Sequence, residues 1–379
     1  MRAKDVSERI GKTSPGRSRV CALAVVVAMF IGFAFMLCAG GCSAMGTTRI
    51  KDTINHLSFS PDGKKLLFDR CREDDCQIQV YDLATEELSA YKSPPGERWT
   101  MARYSYDGTK IVFSAIPMGR TYLGLSDMQI AIMDPDGKNV RKITTGPGAK
   151  IYPVFSHSGT KVLYARAGYM RKSGKTPAAD YDAWEVDLAT GKEKRLTFYS
   201  FFNMNNLTYF PDDKRFLCWG FAPMTLPGIP ENDREAYEKK IKGWKYGANN
   251  IYALREGMTE DEPPYVIVGY EYGRLSQRPL LSKDGTRLLF ESEGTFYLYS
   301  PDGNHRRIGG GGSVTSAAIS SDGEYLGYIG AGITIHVYRV RDGTQQERIY
   351  VTTQIEGFNY DRLPKFKLLP EKPSRIKNR

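Results

Sequence analysis

One phrase recurs six times along this chain of 379 residues. It runs from an apolar or aromatic residue through a short turn, usually Ser-x-Asp-Gly, into a charged residue and an apolar strand. The copies begin at Phe59, Tyr104, Phe155, Tyr209, Leu281 and Ile319. Phe59-Ser60-Pro61-Asp62-Gly63 shows the full form, whereas Tyr209-Phe210-Pro211-Asp212-Asp213 lacks both the Ser and the Gly. Asp-Gly is a strong hairpin signal, because Gly accepts the positive φ the turn needs and Asp bonds the turn backbone. Each copy therefore reads as strand, tight turn, strand. A third strand follows, as in Ile78–Leu83, Met128–Met133 and Ala183–Leu188. A more polar fourth closes most units, as in Arg141–Thr144, Arg195–Thr197 and Gln346–Tyr350.

The equivalent turn positions are 62, 107, 158, 212, 284 and 322, giving separations of 45, 51, 54, 72 and 38. A propeller blade repeats every 40–50 residues or so, and the excess marks insertions. Six in-phase units of four antiparallel strands predict an all-β, six-bladed β-propeller. The rival is an unrelated string of hairpins, such as a sandwich. In a ring most strand edges are shielded and sheet faces bury against neighbouring blades.

The repeats resemble the TolB-type, WD-like propeller repeat, whose core is W-S-P-D-G followed by an I-x-x-x-D strand and an R-x-L-T ending. Phe59–Gly63 is close to that core, and Asp187–Gly191 and Arg195–Thr197 also match. The resemblance covers about residues 55–352 and implies a fold, not an activity. TolB carries a separate α/β domain ahead of its propeller. Only about a dozen residues separate the export segment from the first blade here, so the resemblance does not extend to a role in the Tol machine.

The amino end reads as an address. Residues 1–19 are polar and basic, Val20 to Cys38 are continuously apolar or small, and Ala39-Gly40-Gly41-Cys42-Ser43 follows. This is the layout of an export signal. Cys42 after small residues resembles a bacterial lipobox, although Ala39 stands where Leu is usual. The resemblance implies cleavage before Cys42 and its lipidation, and Ser43 implies outer-membrane sorting, facing the periplasm. The alternative is an uncleaved anchor, because the apolar run approaches the ~18 residues that span a bilayer. The expected organisation is a signal peptide at 1–41, a tether at 42–54, the propeller at 55–352 and a basic tail at 353–379.

Export bears on the remaining cysteines. Cys71 and Cys76 flank a short loop between two predicted strands of blade 1. An oxidising compartment favours a disulfide there. The rival metal site lacks a second Cys or His cluster within reach. Cys218 lies in the apolar run Phe216–Trp219 and reads as a buried, inert thiol.

The net charge of +10 is unevenly placed. Residues 1–41 hold six basic and two acidic side chains, residues 361–379 hold seven and two, and the stretch between is nearly neutral. A nucleic-acid partner is therefore not expected, since the excess is terminal rather than a globular patch. The tail reads as solvated, or as a contact to anionic lipid or peptidoglycan.

Strand order makes the insertions informative. First-to-second and third-to-fourth turns share one face of the disc, and second-to-third loops share the other with the connections between blades. The long segments of blades 1–4 are all second-to-third loops, so they crowd one face. The longest, in blade 4, contains Pro230–Lys242, which has acids early and lysines late and predicts a short helix. Its Tyr237, Ile241 and Trp244 form an apolar stripe, either docking a partner or packing on the blade. Tyr122, Tyr169, Arg171, Lys172 and Lys175 complete the candidates for partner contact. Tyr181 and Trp184 are read as either face aromatics or core between blades.

Little chemistry is legible. His56, His157, His305 and His336 are placed at a strand start, a first turn, a third-to-fourth turn and a third strand, and do not converge on the loop-bearing mouth. The sequence contains no G-x-S-x-G elbow, P-loop, H-E-x-x-H or EF-hand pattern. Asp134–Gly137 and Pro301–Gly303 read as tight turns rather than Ca²⁺ loops. No catalytic residue, metal ligand or cofactor is assigned. The expectation is a membrane-tethered scaffold that binds a protein partner of the cell envelope. The alternatives are an envelope glycan or peptidoglycan binder and a metal-dependent propeller lyase.

Overall fold

The computed structural model describes residues 52–72, 75–118, 124–170, 178–201, 203–221, 249–258, 265–268, 276–350, 366–368 and 374–375. The export segment, Cys42 and the predicted blade-4 helix lie outside them. The described strands form six sheets, each built from four consecutive antiparallel strands, with the first strand of each phrase at one edge. These first strands are Asp52–Phe59, Glu97–Tyr104, Lys150–Phe155, Asn203–Tyr209, Ser276–Leu281 and Val314–Ile319. Each contacts the first strand of the next blade, and the sixth contacts the first. They are the inner wall of a closed ring, and the fold is a six-bladed β-propeller. Among the described residues the first strand starts at Asp52, inside the stretch expected to be tether. Asp52 is buried and accepts hydrogen bonds from Arg70, from Nε at 3.0 Å and Nη2 at 2.6 Å, which pins it to the second strand.

The repeated phrase has a local physical reason. In the first turn the Ser60 hydroxyl donates to Asp62 at 2.5 Å and accepts the Lys65 N–H at 2.9 Å, while Asp62 accepts the Lys64 N–H at 3.1 Å. Ser105 with Asp107, Ser282 with Asp284 and Ser320 with Asp322 repeat the Ser-to-Asp bond at 2.6 Å each. One side-chain pair thus satisfies the turn's backbone donors within six residues. The Ser282 hydroxyl is the foremost cause that holds the Asp284 carboxyl down at about 2. Blade 3 substitutes a Ser156–Ser158 contact. In blade 4 Asp212 accepts the Lys214 and Arg215 N–H groups without a Ser.

Cohesion comes from the wedges between blades. Leu67, Ile78, Val80, Trp99, Ile111 and Phe113 fill the wedge between blades 1 and 2. Leu57, Phe59, Phe68, Tyr81, Ile329 and Ile349 fill the closing wedge between blades 6 and 1. Burying one such side chain stabilises by about 1.5–3 kcal/mol, so each wedge outweighs any single polar contact. Among the described residues no strand is shared between the first and last blades; the closing wedge is helped by Leu57 N–H donating to Ser316 Oγ at 2.9 Å and Ile54 N–H to Gly332 O at 2.7 Å.

Two stretches of the basic tail join the ring as outermost strands. Phe366–Leu368 pairs in parallel with Gln345–Tyr350 of blade 6, and Ser374–Arg375 pairs in parallel with Leu88–Tyr91 of blade 1. The tail therefore covers part of the outer edge on either side of the closing wedge, where an uncovered edge would be open to strand addition.

Candidate functional sites: the central channel and the loop-bearing face

Every inner strand breaks register with its neighbour near mid-length. In five of them a non-glycine residue there takes the left-handed conformation: His56, Met101, Tyr152, Asn206 and Arg278, with φ between 49 and 59°. Each stands six residues before its turn position, so the ring places them at one level of the channel. A side chain in this region costs about 1 kcal/mol or more, and such residues gather at sites where the side chain matters.

The polar groups at this level are tied to their own walls. Asp69, buried on the second strand of blade 1, takes His56 Nδ1 at 2.6 Å, the Thr100 hydroxyl and the Met101 N–H at 3.1 Å, all on one oxygen. Its other oxygen is buried without a partner. Arg278 Nη1 donates to buried Glu291 at 2.5 Å and Nη2 to Val314 O at 2.9 Å. Asp69 and Glu291 stand at the same place in their blades, seven residues after the turn position, so blades 1 and 5 brace their bulges alike.

Tyr152 differs, as does Arg103, which stands two residues nearer its turn than the bulge residue Met101. Arg103 reaches past blade 3 to donate Nη1 to Leu207 O of blade 4 at 2.8 Å. Among the described residues no carboxylate ion-pairs with it, and burial lowers its pKa. The Tyr152 phenol makes no hydrogen bond among them. Burial pushes its pKa up, against the pull of the Arg278 and Arg103 guanidiniums. His56 meets its ring edge-on at 6.0 Å between centroids.

The tight-turn end of the channel is crossed by side chains. Tyr106 stacks on His157 at 3.8 Å, and Lys283 of blade 5 spans the axis to donate to Tyr106 O of blade 2 at 3.0 Å. His157 N–H donates to Asp213 at 2.6 Å, tying the plug to blade 4. Burial lowers the His157 pKa and raises that of Tyr106.

On the opposite face blade 3 carries a cleft of about 560 Å³, lined by Arg166, Gly168, Asp180, Asp182, Trp184 and Arg195 among others. Its walls are a second-to-third hairpin and the connections to the neighbouring blades, which strand order puts on the loop-bearing face. Arg166 lies 4.5 Å over the Trp184 ring and donates to Pro147 O at 3.2 Å. Asp182 is buried and accepts Arg195 Nη2 at 2.6 Å, Thr197 Oγ1 at 2.7 Å and Tyr199 N–H at 2.9 Å, and burial still raises its pKa. Below the cleft, the buried Lys150 ammonium donates to Gly146 O at 2.7 Å and Met128 O at 3.0 Å. Burial, then Arg166, pushes its pKa down to about 8. Arg195 also lies 4.6 Å over the Phe198 ring, which is 43% exposed.

Of the residues singled out from sequence, Cys71 and Cys76 are joined by a disulfide, directly opposite each other across the second and third strands, with Cα atoms 4.0 Å apart. Cys218 is buried and free, its thiol pKa raised by burial. Tyr169 pairs with Ala179 in the backbone of blade 3. Cys42, Tyr122, Arg171, Lys172, Lys175, Tyr237, Ile241 and Trp244 lie outside the described residues. Tyr181 is core, packed with Phe201, whereas Trp184 is half-buried under Arg166. His56 corrects its sequence placement: it stands inside its strand, at the bulge. The channel groups were missed because each is isolated in sequence, although position six before each turn, carrying His, Met, Tyr, Asn and Arg, was a signal. Among the described residues no three His, Cys, Asp or Glu side chains converge as metal ligands.

No protein-family profile and no curated protein sequence matches the chain. Solved structures do match. An oligogalacturonate lyase, determined in complex with manganese, aligns with a TM-score of 0.50 at 16% identity, over 78% of this chain and 77% of the other. TolB from Acinetobacter baumannii aligns with a TM-score of 0.51 at 17% identity, over 79% of this chain and 62% of TolB. The chain thus spans less than two thirds of TolB's length. At these identities the likeness is one of fold, and the fold is a TolB-like six-bladed β-propeller.

Proposed function

We propose that this chain is an exported, membrane-tethered and non-catalytic propeller that docks a protein partner of the cell envelope on its loop-bearing face. The observation that carries this reading is the blade-3 cleft. It combines a half-buried Trp184, two arginines held over aromatic rings and a rim of second-to-third loops. Trp and Arg in a partly desolvated recess are the residue types that dominate binding energy at protein interfaces. Tyr122, Tyr169, Arg171, Lys172, Lys175, Tyr237, Ile241 and Trp244 remain the sequence candidates for this face, since strand order assigns their loops to it. The tether is Cys42, acylated at the outer membrane, with the basic tail near anionic lipid or peptidoglycan.

In-cell crosslinking followed by mass spectrometry tests the reading. The wild-type chain is expected to crosslink one envelope protein. Trp184→Ala with Arg166→Ala is expected to reduce that product at least tenfold while the ring stays folded. An unchanged product, or retention on purified peptidoglycan with no protein captured, would overturn it, the second in favour of glycan binding. Cys42→Ser is expected to release the protein from the membrane; retention at full mass would instead assign residues 20–38 as an anchor.

A further inference from the structure

We propose that the central channel is a binding well for a single carboxylate group, held between Arg103 and Tyr152 and reached from the loop-bearing face. Arg103 commits one N–H to Leu207 O at 2.8 Å. Among the described residues no carboxylate ion-pairs with its remaining donors. A guanidinium is a rigid fork that matches a carboxylate with two parallel hydrogen bonds. Arg103 is half-buried, so the donors it does not spend on Leu207 are open to the channel, where an anion can reach them. Tyr152 supplies a half-buried phenol with no hydrogen-bond partner among the described residues, and it shares its surroundings with Arg103 and Arg278. The backbone beneath Tyr152 is left-handed, with φ 54°. A strained, non-glycine aromatic near a guanidinium without an ion pair is the arrangement expected where side-chain position matters more than local stability.

The surrounding charges select the ligand. Asp69 and Glu291 are carboxylates at the same level, engaged by His56 and by Arg278. They make the well unfavourable for a dianion such as phosphate and leave it suited to one negative charge. The Tyr106–His157–Lys283 plug closes the turn end, so the ligand arrives from the opposite side. The carboxylate belongs either to a small free acid or to an acidic side chain of a narrow peptide. The well does not depend on the blade-3 cleft, and either can fail alone.

Thermal unfolding of the purified propeller tests the proposal. A ligand that binds only the folded state raises the melting temperature with its concentration. Acetate is expected to raise it saturably by about 2–4 °C, beyond chloride at equal ionic strength and beyond phosphate. A capped Gly-Glu-Gly peptide that does the same assigns the peptide source; acetate acting alone assigns the small acid. Arg103→Gln is expected to abolish the shift. Tyr152→Phe keeps the ring packed and is expected to weaken binding about threefold to tenfold, which decides the matter if the Arg103 variant does not fold. No acetate-specific shift, or a full shift in both variants, would overturn the proposal. So would an Arg103→Gln protein that melts lower and still responds, since Arg103 would then be only a brace for Leu207.

Discussion

The tight turns and the inner-strand bulges make the same backbone demand and meet it in opposite ways. The turns place a left-handed residue in every blade, and the bulges place one in five of the six. At the turns the chain uses Gly63, Gly108, Gly159, Gly285 and Gly323, with φ between 70 and 76°, and only blade 4 puts a side chain there, Asp213. At the bulges it uses His56, Met101, Tyr152, Asn206 and Arg278, and no glycine. Glycine relieves the steric cost that a Cβ brings to this region. Where the backbone alone matters, the repeat has taken that relief. Where side chains face a channel, it has not. The strain at the bulges is therefore retained for the groups it positions, and the turns show what the fold does when nothing needs positioning.

Substitution at the turns should produce the largest effects, and their spread separates conformation from contact. A Cβ at Gly285 would stand 2.9 Å from Pro211 Cδ, a ring that cannot swing away, whereas a Cβ at Gly63 meets nothing within 4 Å. Gly285→Ala is expected to cost about 2–4 kcal/mol, and Gly63→Ala about 1–2 kcal/mol from φ alone. Denaturant unfolding of the two variants measures the difference. Equal losses would mean that the turn of blade 5 moves freely against blade 4.

Next in size is the side-chain chemistry of the turn. Ser282→Ala removes the hydroxyl that donates to Asp284 and accepts the Arg287 N–H. A loss of about 1 kcal/mol is expected. The Asp284 carboxyl sits lower in the folded chain, at about 2, than its ordinary 3.8. Its contribution is thus complete above pH 3.8 and is lost as pH falls through 2. The variant should shed part of this dependence, so its acid unfolding profile should be flatter between pH 4 and 2. An unchanged profile would assign the low carboxyl to Thr286, whose N–H and hydroxyl also donate to Asp284.

The same contrast explains what could be read from sequence. The Ser-x-Asp-Gly turn completes its hydrogen bonds within six residues, so its chemistry repeats visibly and carries the blade count. Cys71 and Cys76 were legible for the same reason, since they pair across one hairpin. The channel obeys a different rule. Asp69, Arg103, Tyr152 and Arg278 belong to four blades and meet only because the ring closes. No window of sequence contains two of their contacts across the channel. The blade-3 cleft was half legible: strand order pointed to its face, but not to Arg166 covering Trp184 or to Asp182 gathering Arg195, Thr197 and Tyr199. The edge strands formed by the tail were illegible, because Phe366–Leu368 and Ser374–Arg375 are too short and too polar to carry a strand pattern.

The smallest predicted effect is the sharpest test of the contrast, because it asks whether every bulge side chain is needed. Asn206 has the same left-handed backbone as its neighbours, with φ 49°. Asn tolerates that conformation better than most residues, through its short polar side chain. It also occupies the blade whose turn breaks the repeat, with Asp213 in the glycine position at φ 54°. Asn206→Gly relieves the native strain and adds freedom to the unfolded chain, and these two changes oppose each other. A net change within about 0.5 kcal/mol is expected by denaturant midpoint, with acetate-induced stabilisation intact. A loss well above 1 kcal/mol would show that Asn206 is held by contacts of its own. Loss of the acetate response would place Asn206 beside Arg103 and Tyr152 in the well.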